Sequence, residues 1–128
     1  MKLIKSLFGD KTPKVEKKLP WISLTTMQQI SDIVERSKMK PQVVFKHSTR
    51  CGISKMVINQ FIESYEFEEG DLDLYYLDLL NYRDISNEVG YKFQVLHQSP
   101  QLLVIKNGLV VTHESHGAIN TIQLENFI

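Results

Sequence analysis

Cysteine is nearly missing from this chain: 128 residues carry one, Cys51. No internal disulfide is available, so a single core must hold by burial alone, which this length permits. Net charge is missing too, because 15 Lys and Arg balance 15 Asp and Glu. With no long basic stretch there is no electrostatic footprint for nucleic acid, and nothing marks an acidic substrate groove. Long apolar runs are also lacking. The opening residues Met1 to Phe8 hold apolar pairs but no signal-peptide core, so neither a secretory leader nor a membrane span is expected, and the cytoplasm is the expected compartment. Leu3, Ile4, Leu7 and Phe8 share one helical face and could rest on a membrane surface, against the alternative of a frayed or docked tail. No repeat or low-complexity tract occurs.

What is present reads as one domain behind a tether. Residues 9–20 are charged, bounded by prolines and aperiodic, so residues 1–20 are expected to be a flexible tail and residues 21–128 the folded domain. After a short extended segment at Trp21 and Ile22, Thr25 or Thr26 with Gln28 or Gln29 forms a capping-box pattern. The spacing of Met27, Ile30, Ile33 and Val34 then predicts a helix that stops before Pro41. Val43 to Phe45 reads as a buried strand. A second helix is expected to begin at Cys51, capped by Ser48 or Thr49, with Ile53, Met56, Val57 and Phe61 as its apolar stripe down to about Tyr65. Glu63, Glu66, Glu68, Glu69, Asp71 and Asp73 read as a solvated acidic connection. Leu72 to Leu80 is apolar on both faces and predicts a second central strand. Asp84 is placed to cap a third helix with Ile85, Val89 and Phe93 inward and Gly90 in its interior. Asn107-Gly108 between two β-type runs is a two-residue hairpin signal, because a type I′ turn needs positive φ at both positions. Ile119, Ile122 and Phe127 fit a short closing helix.

The chemistry concentrates in the stretch from Val43 to Ser54, which carries the one thiol. A thiol where a strand hands over to a helix faces unpaired backbone N–H groups and the positive end of the helix dipole, an environment that favours thiolate over thiol. Lys46, His47, Arg50 and Lys55 crowd the same stretch. The competing reading is a small buried hydrophobe. Histidine offers a third possibility: Cys51, His47, His97, His113 and His116 are enough in number for zinc, but no ligand spacing supports it, and no metal is expected.

The element order (β)αβαβαββα resembles the thioredoxin fold, an α/β architecture with a central mixed sheet of about four strands flanked by helices, a C-terminal antiparallel hairpin and a closing helix. Cys51 falls where that fold keeps its nucleophile. Cys51-Gly52-Ile53-Ser54 resembles the C-x-x-S form of the C-x-x-C motif and is close to the C-G-F-S of monothiol glutaredoxins. Phe45 to Ser54, Tyr75 to Leu80, Arg83 to Asn87 and Gln98 to Gln101 are more similar still to the YtxJ-like family of monothiol bacilliredoxins, over roughly Leu24 to the end. Gly52 stands where members of that family have proline.

The resemblance implies a monothiol thiol-disulfide oxidoreductase. Cys51 would take a low-molecular-weight thiol, bacillithiol in that family, from S-thiolated client proteins, and a second small thiol would then clear it. No tightly bound cofactor is implied, the small thiol being a co-substrate. Ser54, in place of a resolving cysteine, can only give or accept a hydrogen bond, so reset must be intermolecular. Lowering a thiol's pKa raises its thiolate fraction but lowers its nucleophilicity; the larger benefit is that such a sulfur leaves readily from a mixed disulfide. Arg50, Thr49, His47 and Lys46 are the expected thiolate-stabilising or thiol-binding groups. The fold implies a cis-Pro100 facing Cys51 with Ser99 offering backbone groups, and His116 and Gly117 sit where related proteins contact the thiol's carboxylate. Two other functions remain open at this point: an iron–sulfur cluster carrier of the monothiol glutaredoxin type, and a non-catalytic interaction module with a buried, unreactive Cys51.

Overall fold

The computed structural model describes residues 17–128. The expected amphipathic turn at Leu3 to Phe8 and most of the expected tether lie outside the described residues. No helix among those described is long and apolar enough to cross a membrane.

Eight regular elements and two 3-10 turns follow in the order β1 (Ile22–Ser23), α1 (Met27–Arg36), β2 (Gln42–His47), α2 (Gly52–Ser64), β3 (Asp73–Asp78), α3 (Arg83–Phe93), β4 (Gln101–Lys106), β5 (Leu109–Ser115), then His116–Thr121 and Leu124–Phe127. The sheet has five strands rather than about four, in the order β1-β3-β2-β4-β5; the extra one is the two-residue β1 at the edge. β1, β3 and β2 run parallel, while β4 and β5 are antiparallel additions. Asn107 and Gly108 take positive φ at the hairpin tip, as the turn requires. Their N–H groups donate to the carbonyl and hydroxyl oxygens of Ser37, each at 2.8 Å, and so pin the hairpin to the end of α1.

Strand alternation divides the core into two layers. Val44, Tyr75, Leu77, Leu103 and Ile105 meet α1 and α3 through Ile30, Ile33, Ile85, Val89 and Phe93. Val43, Phe45, Leu74, Leu102 and Val104 meet α2 and the C-terminal turns through Val57, Phe61, Ile119 and Leu124. Trp21 stacks edge-on against Phe45 and Tyr76 on this second side, with ring centroids 6.1 and 5.6 Å apart.

Thr26 and Gln29 form the capping box that starts α1. Gly90 sits inside α3 because a Cβ there would stand 3.0 Å from the Val95 carbonyl oxygen, where the chain turns back against the helix.

Several expectations are corrected. The closing helix is two 3-10 turns, with Ile119 and Leu124 as the buried residues. α3 begins from Tyr82, with Asp84 in its first turn and not at its cap. The apolar stripe of α2 runs through Val57, Ile58 and Phe61 with the fully buried Ser54, while Ile53 and Met56 are 54% and 55% exposed. The inward i, i+3, i+4 line runs through the polar Ser54, so apolar spacing alone does not mark it. Asp73 belongs to β3 and is buried, not part of a solvated connection. Its carboxylate takes Arg36 Nε at 2.8 Å, Gln42 Nε2 at 2.8 Å and Lys40 Nζ at 3.0 Å. Burial works to raise the Asp73 carboxyl, but these hydrogen bonds outweigh it and hold it below the ordinary value.

Candidate functional site

Buried β2 ends at His47, the chain turns through Ser48, Thr49 and Arg50, and α2 begins at Gly52. Cys51 is therefore the N-cap residue itself, in an extended conformation (φ −106°, ψ 121°). Its N–H donates to the Ser48 carbonyl at 3.2 Å, and its own carbonyl accepts from Lys55 N–H at 3.0 Å, the first bond of the helix. The thiol makes no capping hydrogen bond, and Cys51 is partly exposed. A capping hydroxyl would have occupied this end of the helix. Ser48 and Thr49, expected as caps, do not act as such: Ser48 is buried and Thr49 exposed.

The loop before Cys51 is braced from below. Ser54, one helical turn on, is fully buried, and its hydroxyl oxygen accepts from Ser48 N–H at 3.1 Å and lies 2.8 Å from His47 Nδ1. The hydroxyl hydrogen finds its partner if it donates to Nδ1, which places the imidazole proton on Nε2. Burial pushes the His47 pKa down and the Lys55 charge adds to that, against the opposing Asp78 carboxylate, so the ring stays neutral at pH 7. Ser54 and His47 thus form a neutral strut that fixes the strand-to-helix junction. His47 also packs on Tyr76, ring centroids 5.7 Å apart.

The Ser99-Pro100 peptide bond is cis, and β4 begins directly after it, with Gln101 paired to Lys46. This loop lies at the end of the sheet where Cys51 emerges. Pro100 carbonyl accepts from His116 N–H at 3.0 Å, and His116 takes a positive φ of 57°, so the chain after β5 is turned back onto the proline loop. Gly117 follows, exposed, with open space where a side chain would begin. Asn120 then bonds the Val57 carbonyl and Gln60 on α2, at 3.3 and 3.1 Å, tying this segment to the helix that Cys51 heads.

Cys51, Arg50, Thr49, the proline loop and His116-Gly117 therefore share one end of the molecule. Arg50 is exposed and makes no ion pair among the described residues. Lys46 does not join them. Strand alternation turns it to the face opposite His47, where it is fully buried and its ammonium donates to the Ser86 carbonyl of α3 at 3.0 Å. Ile53 and Met56, assigned to the core from sequence, stand exposed on the first turns of α2 after Cys51. The signal that could have found them is the i, i+3, i+4 line through Ser54, Val57, Ile58 and Phe61, which leaves both off the inward face. Among the described residues no three of His, Cys, Asp and Glu gather as metal ligands.

A single thiol on a partly exposed residue, with a buried hydroxyl where a second could stand, supports thiol–disulfide exchange through mixed disulfides with other molecules. Comparison with known proteins agrees. The family model described as monothiol bacilliredoxin BrxC matches residues 22–124. A solved structure described as a candidate oxidoreductase with a thioredoxin fold is 35% identical, covering 82% of this chain and 90% of that one, with a TM-score of 0.68. Malassezia sympodialis thioredoxin is 19% identical (88% and 92% covered, TM-score 0.66) and Trypanosoma brucei brucei thioredoxin 17% (88% and 90%, TM-score 0.63). These two show the fold alone, which is that of thioredoxin.

Proposed function

The chain belongs to the monothiol bacilliredoxin family, and from that premise we propose that it is a cytoplasmic oxidoreductase that removes bacillithiol from S-thiolated client proteins. The observation that carries this is the partly exposed, uncapped Cys51 at the head of α2, backed by a Ser54 hydroxyl already committed to Ser48 and His47. Cys51 thiolate attacks the small-thiol sulfur of the client's mixed disulfide. The bond to the client sulfur breaks, the client leaves as a thiolate that takes up a proton, and Cys51 holds the small thiol as a new disulfide. A second small-thiol thiolate attacks the cap sulfur, Cys51 leaves as thiolate, and the small-thiol disulfide departs. No internal thiol competes for either step, because the chain has no second cysteine.

The sulfur is alike in bacillithiol and glutathione, so preference must arise from groups that touch the rest of the thiol. Arg50 supplies an exposed cation. Ser99 borders the proline loop, and His116 and Gly117 stand beside it. Each charge-assisted hydrogen bond is worth about 1.5–3 kcal/mol, at least tenfold in rate when made in the transfer step. The interaction-module alternative requires a buried thiol and is disfavoured by the partial exposure of Cys51.

The test offers purified chain a model protein carrying either bacillithiol or glutathione as a mixed disulfide and follows the cap onto Cys51 by intact mass. Transfer from bacillithiol at least tenfold faster is expected. Equal rates would leave a general monothiol oxidoreductase, and no transfer from either would end the enzyme reading.

A further inference from the structure

Three buried side-chain atoms lack a hydrogen-bond partner among the described residues: Ser86 Oγ, Ser99 Oγ and Gln101 Oε1. They are not scattered. Ser86 provides the carbonyl that holds Lys46, Gln101 lies directly across from Lys46 in the β2–β4 ladder, and Ser99 is two residues before Gln101. Lys46 is itself fully buried, and its ammonium has three hydrogens with one found partner. No carboxylate among the described residues pairs with it, and burial alone lowers its pKa to about 8, so it remains mostly charged at pH 7. Buried charges in proteins are ordinarily paired.

Ser86 also lines a cavity of about 390 Å³ between α3 and the loop leading to Pro100. Asn87 and His97 line it with polar groups, and Gly90, Val95 and Leu96 with apolar surface. The charges that reach His97 are Lys46 and Arg83, both cationic; burial and these two cations together lower its pKa. The cavity is open: Asn87, Leu96 and His97 are exposed, Ser86 is the buried polar residue of its lining, and Lys46 does not line it but, like Arg83, acts on His97 through its charge. Its volume is of the size that small organic ligands occupy.

We propose that this cavity is a binding site for a small organic carboxylate, held by Ser86, Asn87 and His97, with buried Lys46 as its counter-charge. The carboxylate would accept from the Ser86 hydroxyl, and its carbon skeleton would rest on Val95 and Leu96. Because α3 and the 94–100 loop form the two walls, an occupant would fasten the loop that ends in Pro100. This site lies on the opposite sheet face from His47 and does not depend on which thiol Cys51 carries.

The test is calorimetric titration of the full chain with sodium succinate and, separately, inorganic phosphate, at constant ionic strength against chloride. Saturable succinate binding is expected, with phosphate and chloride weaker. Lys46→Met, which keeps the volume and removes the buried charge whose field reaches His97, should weaken succinate by at least about tenfold. Ser86→Ala, which removes only a hydroxyl without a partner, provides a second variant should Lys46→Met fail to fold, and should weaken binding severalfold. Backbone amide shifts of Asn87, His97 and Val95 should move on titration in the wild-type chain. No saturable binding, binding insensitive to either variant, or phosphate binding in preference to succinate would each overturn the assignment.

Discussion

Two polar clusters sit on the same face of the same strand, at opposite ends of β2. Gln42 and Lys46 are separated by four residues, about 13 Å of strand. At the Gln42 end everything is closed: Asp73 accepts from Arg36, Lys40 and Gln42, and Tyr75 hydroxyl donates to Gln42 Oε1 at 2.8 Å. At the Lys46 end, among the described residues, a buried cation has one carbonyl partner, and Ser86 Oγ, Ser99 Oγ and Gln101 Oε1 have none. The first cluster ties α1 to the parallel strands. The second lies at the end where Cys51 emerges, under the proline loop. An interior that is closed at one end and open at the other separates structural polarity from polarity left for something outside the chain.

Cys51→Ser should break this contrast at the functional end with the largest effect: no small-thiol cap should appear on the chain by intact mass, while urea denaturation remains within about 0.5 kcal/mol of the wild type, as for a surface substitution. A variant that still accepts a cap would place the chemistry elsewhere.

Asp73→Ala is the counterpart at the closed end. Removing the shared acceptor leaves the buried Gln42 amide without it, while Arg36 and Lys40 are exposed enough to be solvated, and should cost about 2–3 kcal/mol in urea denaturation. Cap transfer per folded molecule should stay within about twofold of wild type, given that Asp73 and Cys51 lie at opposite ends of the sheet. A slower transfer in fully folded protein would show that the two ends are coupled.

pH sharpens the comparison further. The Lys46 pKa is about 8 when folded, against 10.5 for an ordinary lysine. Between those values the unfolded chain holds the proton and the folded chain does not, so stability gained from this site rises with pH from about 8 to about 10.5. In chloride buffer the stability difference between wild type and Lys46→Met should shift toward wild type across that range, by on the order of 3 kcal/mol. Subtracting the variant matters because Tyr65 and Tyr75, raised to about 12 by burial, lose stability as pH climbs above 10. A difference flat in pH would mean that Lys46 is not a buried cation near neutrality.

The smallest expected effect is Gly52→Pro. Gly52 is the first helical residue, open around its Cβ, and Cys51 before it is already extended, as a residue preceding proline prefers. The variant should gain about 0.4–1 kcal/mol by restricting the unfolded chain, read as a higher urea midpoint. A loss would show that the first turn of α2 needs its N–H or its freedom.

The sequence alone determined the order of the strands and of the three α-helices, the hairpin at Asn107-Gly108, a capping box at Thr25 or Thr26 and the position of Cys51 at a strand-to-helix junction. These follow from local rules: periodicity, positive φ and side chains that reach their own backbone. It also carried the family resemblance, since Phe45 to Ser54 is one contiguous stretch. Other features were decided only when distant segments met. Whether Lys46 faces Cys51 or α3 depends on the pleat of β2. Asp73 reads as one more acid in an acidic run until Arg36 and Lys40 arrive from α1. Ser54 was legible as the serine of C-x-x-S, but its burial on the inward line of α2, bonded to His47 and Ser48, appeared only when those residues met it. The orphan atoms around Lys46 had no sequence signature at all, because a missing partner is a property of everything packed nearby, and hydrogen-bond satisfaction is settled in three dimensions.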